Sequence, residues 1–223
     1  MTRLVRTGLA VLLGIASRAS AQDTTALIAG DREASAELAS IIEAAKSNGL
    51  PIDPILSKVR QAVFVAHASS ARTLVAARAT VARLEEARKA LAPHPTERDI
   101  IAGQDALSAS VSSKALRDIR KVSPNRPVAV PLGVLAQLVS NHIPEDRASR
   151  IVTDLIKHGA SEDQILALGK DVNADVAVGA RPNIALDLRM SRLNAVLGIP
   201  TSTTDGVSAT APTSLDGPGK KKP

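Results

Sequence analysis

The chain has 223 residues and a formal charge of +6, with no Cys, no Trp, no Tyr and one Phe, Phe64. Without thiols it has no disulfide and no lipid-modified cysteine, so its fold must hold by burial alone. Without aromatic faces it lacks the platforms on which bases and sugar rings stack, which argues against nucleic acid and glycan as partners.

The N-terminus reads MTRLVRTGLAVLLGIASRASAQ. Arg3 and Arg6 precede a short apolar stretch, and Ala19-Ser20-Ala21 follows the small-x-small pattern of a signal-peptidase site. The apolar stretch is too short to span a bilayer as a stable helix. Residues 1–21 are therefore expected to be a cleaved signal, with Gln22 as the new N-terminus and no stable membrane span afterwards. Export to the periplasm or the exterior follows. The basic charge lies largely at the ends. Arg3, Arg6 and Arg18 fall in the signal, and Lys220 to Lys222 outweigh Asp205 and Asp216 in the tail, leaving about +2 on the body.

Residues 22–199 are expected to form a helical domain with halves at 22–122 and 128–199. Alanine, the strongest helix former, occurs 38 times. Leu38, Ile41, Ile42 and Ala45 show the i, i+3, i+4, i+7 spacing of one helix face. Over 70–91 the apolar positions Leu74, Ala77, Val81, Leu84 and Leu91 step by three and four. Arg88 stands where another apolar residue is due, as a snorkelling side chain at a helix end would. Ala148, Ile151, Val152, Leu155 and Ile156 mark a later helix, and Leu186, Met190, Leu193 and Leu197 the last. Asn48-Gly49, Pro93-His94-Pro95 and Gly159 read as helix ends, and Arg181-Pro182 as a start. The prolines from Pro124 to Pro131 read as one connector. From Pro200 the composition turns to Thr, Ser, Gly, Pro and Ala, so 200–223 is expected to be a disordered tail.

The chain repeats itself. "SNGLPID" (47–53) matches "SNHIPED" (140–146), "HASSARTLV" (67–75) resembles "HGASEDQIL" (158–166), and "SVSSKALRDI" (110–119) resembles "GASEDQILAL" (159–168). Each of the latter places a serine ahead of a helix, making Ser70, Ser112 and Ser161 candidate N-caps. Ser161 with Gln164 spells a capping box. Such repetition suggests a copied helical hairpin, and stacked helix pairs as architecture. The first pair reads as a joint: Asn48 and Asn141 left-handed, Leu50 and Ile143 buried, Pro51 and Pro144 at the first helical position, and Asp53 and Asp146 near the third.

Residues 127–175, with Val130-Pro131-Leu132, a proline-started helix and the joint Gly159-Ala160-Ser161, resemble a group of uncharacterised exported bacterial helical proteins. The resemblance covers about a quarter of the chain. It implies an all-helical exported fold and carries no activity.

Candidate chemistry is sparse. His67, His142 and His158 fall at helix ends, where imidazoles meet unpaired carbonyls and the negative end of the dipole. Asp154, His158 and Glu162 are four apart, but Gly159 interrupts the helix, so one face cannot carry all three as metal ligands. Glu145-Asp146 and Glu162-Asp163 suit first helical turns. Glu85 and Glu86, near Arg83, Arg88 and Lys89, suit a solvated face. No serine has a Gly-x-Ser-x-Gly context, and phosphate loops are absent. The basic runs "RTLVAARATVARLEEARK" and "KALRDIRK" are too weak a signal for DNA binding in an exported chain. No catalytic, cofactor-binding or metal residue is assigned, and no cofactor is expected. The expected fold class is all-α: eight or nine helices in an irregular bundle or short α-solenoid. The expected function is an exported non-enzymatic interaction module or envelope component with an unknown protein partner. The competing expectation is an exported hydrolase or metal-dependent enzyme that gathers its histidines by folding.

Overall fold

The computed structural model describes residues 31–198; the stretches expected to be a signal, its cleavage site at Gln22 and a tail lie outside them. The described residues are all-helical, with nine α-helices and no strand. In chain order these are α1 (Arg32–Ser47), α2 (Asp53–Arg60), α3 (Ser70–Ala90), α4 (Glu97–Ser108), α5 (Ser113–Val122), α6 (Ala129–Ser140), α7 (Glu145–Lys157), α8 (Glu162–Ala177) and α9 (Pro182–Leu197). A π-helical stretch, Gln61–Val65, extends α2.

Most helices start where a short polar side chain satisfies a free amide. Asp31 caps α1, its carboxylate accepting from the Ala34 amide at 3.0 Å. Thr96 and Asp99 form a capping box on α4, and Ser161 and Gln164 form the expected one on α8. Ser112 caps α5 as expected. The cap of α3 is Ser69 rather than Ser70: Ser69 has extended backbone and its side chain accepts from the Arg72 amide. α6 starts at Ala129, earlier than the proline-rich connector suggests. Pro131 fits in its first turn, where no intrahelical amide is missed. Pro182 opens α9, as expected.

The helices stack in two rows. α1, α3, α5 and α7 each pack against the next of their row, and α4, α6 and α8 do the same in the other, with α9 against α8. Contacts between helix i and helix i+2 on both rows are those of a short solenoid of helical hairpins. The larger hydrophobic cluster runs from the end of α3 to α9 around Leu116, Ile119, Leu132, Leu135, Leu138 and Leu155. The smaller joins α1, α2 and the front of α3 through Leu38, Ile42, Ile55, Val59, Leu74 and Leu84.

Small residues set the closest crossings. A Cβ on Gly103 of α4 would lie 2.9 Å from Ala87 Cβ of α3 and 3.0 Å from Leu91 Cδ1. On Gly169 of α8 it would lie 2.9 Å from Gln137 Oε1 of α6. These glycines give up helix propensity and gain close approach between helices.

Candidate functional site

The duplicated Ser-Asn stretches are both joints, with the strain one residue later than expected. Asn48 and Asn141 end α1 and α6 with φ of −81° and −82°. The left-handed residues are Gly49 (φ +66°) and His142 (φ +64°). Around them the hydrogen bonds match: Leu50 N donates to Ala45 O at 3.0 Å and Ile143 N to Leu138 O at 3.1 Å. Gly49 N donates to Lys46 O and His142 N to Val139 O, each at 2.9 Å. This is the Schellman closure, in which the residue after the left-handed one is buried. Leu50 and Ile143 are buried, as expected.

Other assignments in these stretches need correction. Pro51 lies outside α2, whose cap is Ile52, and Pro144 is itself the cap of α7. Asp53 is the first residue of α2 and Asp146 the second of α7. A β-like proline ends one chain segment and sets the direction of the next, so it does not need to be helical to start a helix.

The same closure recurs after α4, α7 and α8, around Ser110, Gly159 and Gly179. After the π-helical stretch, His67 (φ +47°) is left-handed and Ala68 N reaches back to Ala62 O. His67 therefore corresponds to Gly159, and the resemblance of 67–75 to 158–166 is offset by one residue. Among the described residues what looked like one duplicated motif is a closure used five times with different residues, with a wider variant at His67.

His142 occupies a conformation that costs an L-residue roughly 1–2 kcal/mol and glycine little. His142→Gly is expected to raise stability by about 1 kcal/mol, read as a higher urea midpoint at unchanged slope. An unchanged or lowered midpoint would mean that the imidazole makes a compensating contact.

The histidines stay at helix ends. His158 caps α7, and its Nδ1 lies 2.8 Å from Asp154 O. His67, His94, His142 and His158 are exposed. Among the described residues no three His, Cys, Asp or Glu side chains are placed to hold a metal ion, Asp154, His158 and Glu162 included. The carboxylate pairs fall as expected: Glu145-Asp146 and Glu162-Asp163 in first turns, Glu85 and Glu86 exposed. Glu145 also accepts from the Ser112 amide at 2.9 Å and hydroxyl at 2.6 Å, tying α7 to the start of α5. Arg88 lies in the last turn of α3, the helix end where a snorkelling side chain is expected. Its guanidinium donates to the Asn48 carbonyl at the end of α1, while Ala87 and Leu91 fill the core.

An open cleft of about 760 Å³ lies between α2, α3 and α4. Its polar lining includes Asp53, Lys58, Arg83, Gln104 and Asp105. Gln61, the first π-helical residue, lies at its edge, and π-helical turns are frequent at binding sites. Lys58 donates to Gln61 at 2.9 Å and Gln104 to Ser108 at 2.8 Å. Arg83, Asp53 and Asp105 have no side-chain partner among the described residues. Desolvation in the cleft raises the pKa of the Asp105 carboxyl. The sequence pattern places Arg83 beside the glutamates on a solvated face; it is half-buried and lines the cleft instead.

Among the described residues the one buried charged pair is structural. Asp99 of α4 and Arg120 of α5 meet at 3.0 Å, the carboxylate 1% exposed and the guanidinium 9%. Asp99 also accepts from the amides of Val128 at 2.7 Å and Thr96 at 3.2 Å. Arg120 donates to the carbonyls of Ser123 and Arg126. Burial works against ionisation of Asp99, but the Val128 and Thr96 amides, the Thr96 hydroxyl and Arg120 outweigh it and hold its pKa down. Within "KALRDIRK", Arg120 is thus committed to the interior, and Lys114 and Lys121 pair with Asp118.

Comparison with protein-family models, curated proteins and solved structures gives no match.

Proposed function

We propose that the protein is an exported, non-enzymatic interaction module whose contact site is the α2–α4 cleft. The observation that carries this reading is the set of unpaired charges there. Among the described residues Arg83, Asp53 and Asp105 line a cleft of about 760 Å³ without side-chain partners. Arg83 is half-buried, and an unpaired charge held partly out of water is a cost that a complementary partner relieves; Asp53 and Asp105 stand exposed beside it. The mixed signs suit a polypeptide segment bearing both an acidic and a basic side chain. The resemblance of 127–175 to exported helical proteins and the signal pattern at Ala19-Ser20-Ala21 support the compartment.

Two measurements test the proposal. Intact mass of protein from the exported fraction of a bacterial host is expected to correspond to a chain starting at Gln22; a Met1 form there argues against export by cleavage. Affinity capture from the same fraction is expected to retain a discrete polypeptide that Arg83→Glu with Asp105→Lys releases. Retention unaffected by that charge swap would remove the cleft from the proposal.

A further inference from the structure

We infer that the tip of the α2–α3 hairpin is a docking surface for an anionic phospholipid bilayer. The tip exposes the chain's one aromatic residue: Phe64 is 59% exposed, Val65 74% and Val75, in the second turn of α3, 62%. Leu166, Val178, Ile184, Leu188 and Val196 are exposed as well, but at the tip an aromatic and a valine, Phe64 and Val65, are exposed on consecutive residues.

Two cations of these helices stand at the tip itself, Arg60 and Arg72, while Lys58 and Arg83 line the cleft. Arg78 is paired with Glu37 of α1. Arg60, one turn before Phe64, and Arg72, one turn before Val75, are exposed and have no ion-pair partner among the described residues. α1 runs alongside α3 in the same direction, since Glu37 meets Arg78 and Asn48 meets Arg88. Its first turn therefore lies at the same end and adds Asp31, Arg32 and Glu33. Asp31 is engaged as the α1 cap. Apolar side chains flanked by unpaired arginines match a bilayer interface, where the apolar groups enter the acyl boundary and the guanidinium groups meet phosphates. A soluble acidic polymer without apolar groups would satisfy the arginines and leave Phe64 and Val65 in water. No helix among the described residues is long and apolar enough to cross a membrane, so the contact is interfacial. It is independent of the cleft.

The absence of tryptophan provides a clean reporter. Phe64→Trp in the full chain, as recovered from the exporting host, carries a single indole. Vesicles of phosphatidylglycerol and phosphatidylcholine in equal parts are expected to shift its emission to the blue and expose it to quenching by brominated acyl chains. Val178→Trp, at a position 86% exposed on the opposite end of the stack, is expected to show neither change. Arg60→Glu with Arg72→Glu is expected to weaken partitioning about tenfold or more. The inference is overturned by the absence of a shift, by an equal shift at both positions, or by an equal response to pure phosphatidylcholine. It is likewise overturned by an emission already blue before vesicles are added, which would mean that residues 22–30 cover the tip. A shift produced by soluble polyglutamate and not by vesicles would assign the tip to an acidic macromolecule instead.

Discussion

Asp99→Ala is expected to lower the folding free energy by about 3–5 kcal/mol, the usual effect of removing one partner from a buried ion pair. The loss is large because three groups are orphaned together. The Val128 amide loses its 2.7 Å acceptor, the Thr96 amide loses its capping partner, and Arg120 is left charged at 8% exposure. Arg120 already carries a buried Nε without a hydrogen-bond partner, so it has little left to compensate. Asp99→Ala with Arg120→Met is expected to be more stable than Asp99→Ala alone, since no buried charge then remains. The effect also has a pH signature. The folded-state pKa of Asp99 lies below its unfolded value of about 3.9. Its contribution is thus fully present above pH ~4 and is lost as the pH falls through the folded value. Urea melts of wild type and Asp99→Ala should differ most near neutrality and converge in acid; a difference that widens below pH 4 would contradict the assignment.

The second large effect is expected at Leu135. α6 packs against α4, α7 and α8, and Leu135 is fully buried in the larger core cluster. Leu135→Ala removes about three carbons from a site walled by helices fixed through Gly103 and Gly169 contacts, so collapse around the cavity is restricted. The expected loss is about 2–5 kcal/mol. Val178→Ala is the control and should stay within about 0.5 kcal/mol of wild type. A Leu135→Ala loss as small as the control's would mean that the two rows do not share one core around α6.

Local chemistry made the architecture legible. Ser112, Ser161 with Gln164 and Pro182 act on amides within one turn, so their roles can be read from spacing alone. The joints were legible as joints, but their geometry was misplaced by one residue because both copies share an asparagine, which can turn left-handed, whereas the position after it holds glycine in only one of them. In both copies the next residue turns, and in one of them it is a histidine. The π-helical stretch left no pattern in the sequence, and of two adjacent serines spacing alone did not tell which caps α3. Asp99 and Arg120 are 21 residues apart, and only tertiary placement brings them together. The one available signal was Thr96-x-x-Asp99, which spells a capping box and conceals the ion pair. The cleft was not legible, because Arg83 and Asp105 lie on different helices and each alone resembles an ordinary surface charge. Phe64 was noted for its rarity, while its exposure depends on how the hairpin tip is turned.

The central functional claim is that the α2–α4 cleft is a contact site, and site-specific photo-crosslinking in the exporting host tests it most directly. A photoreactive residue at Ser57, which lines the cleft, is expected to yield a discrete adduct, whereas one at Ser191 on α9 is not. Arg83→Glu should remove the Ser57 adduct. No adduct at Ser57, or the same adduct at both positions, would contradict the account.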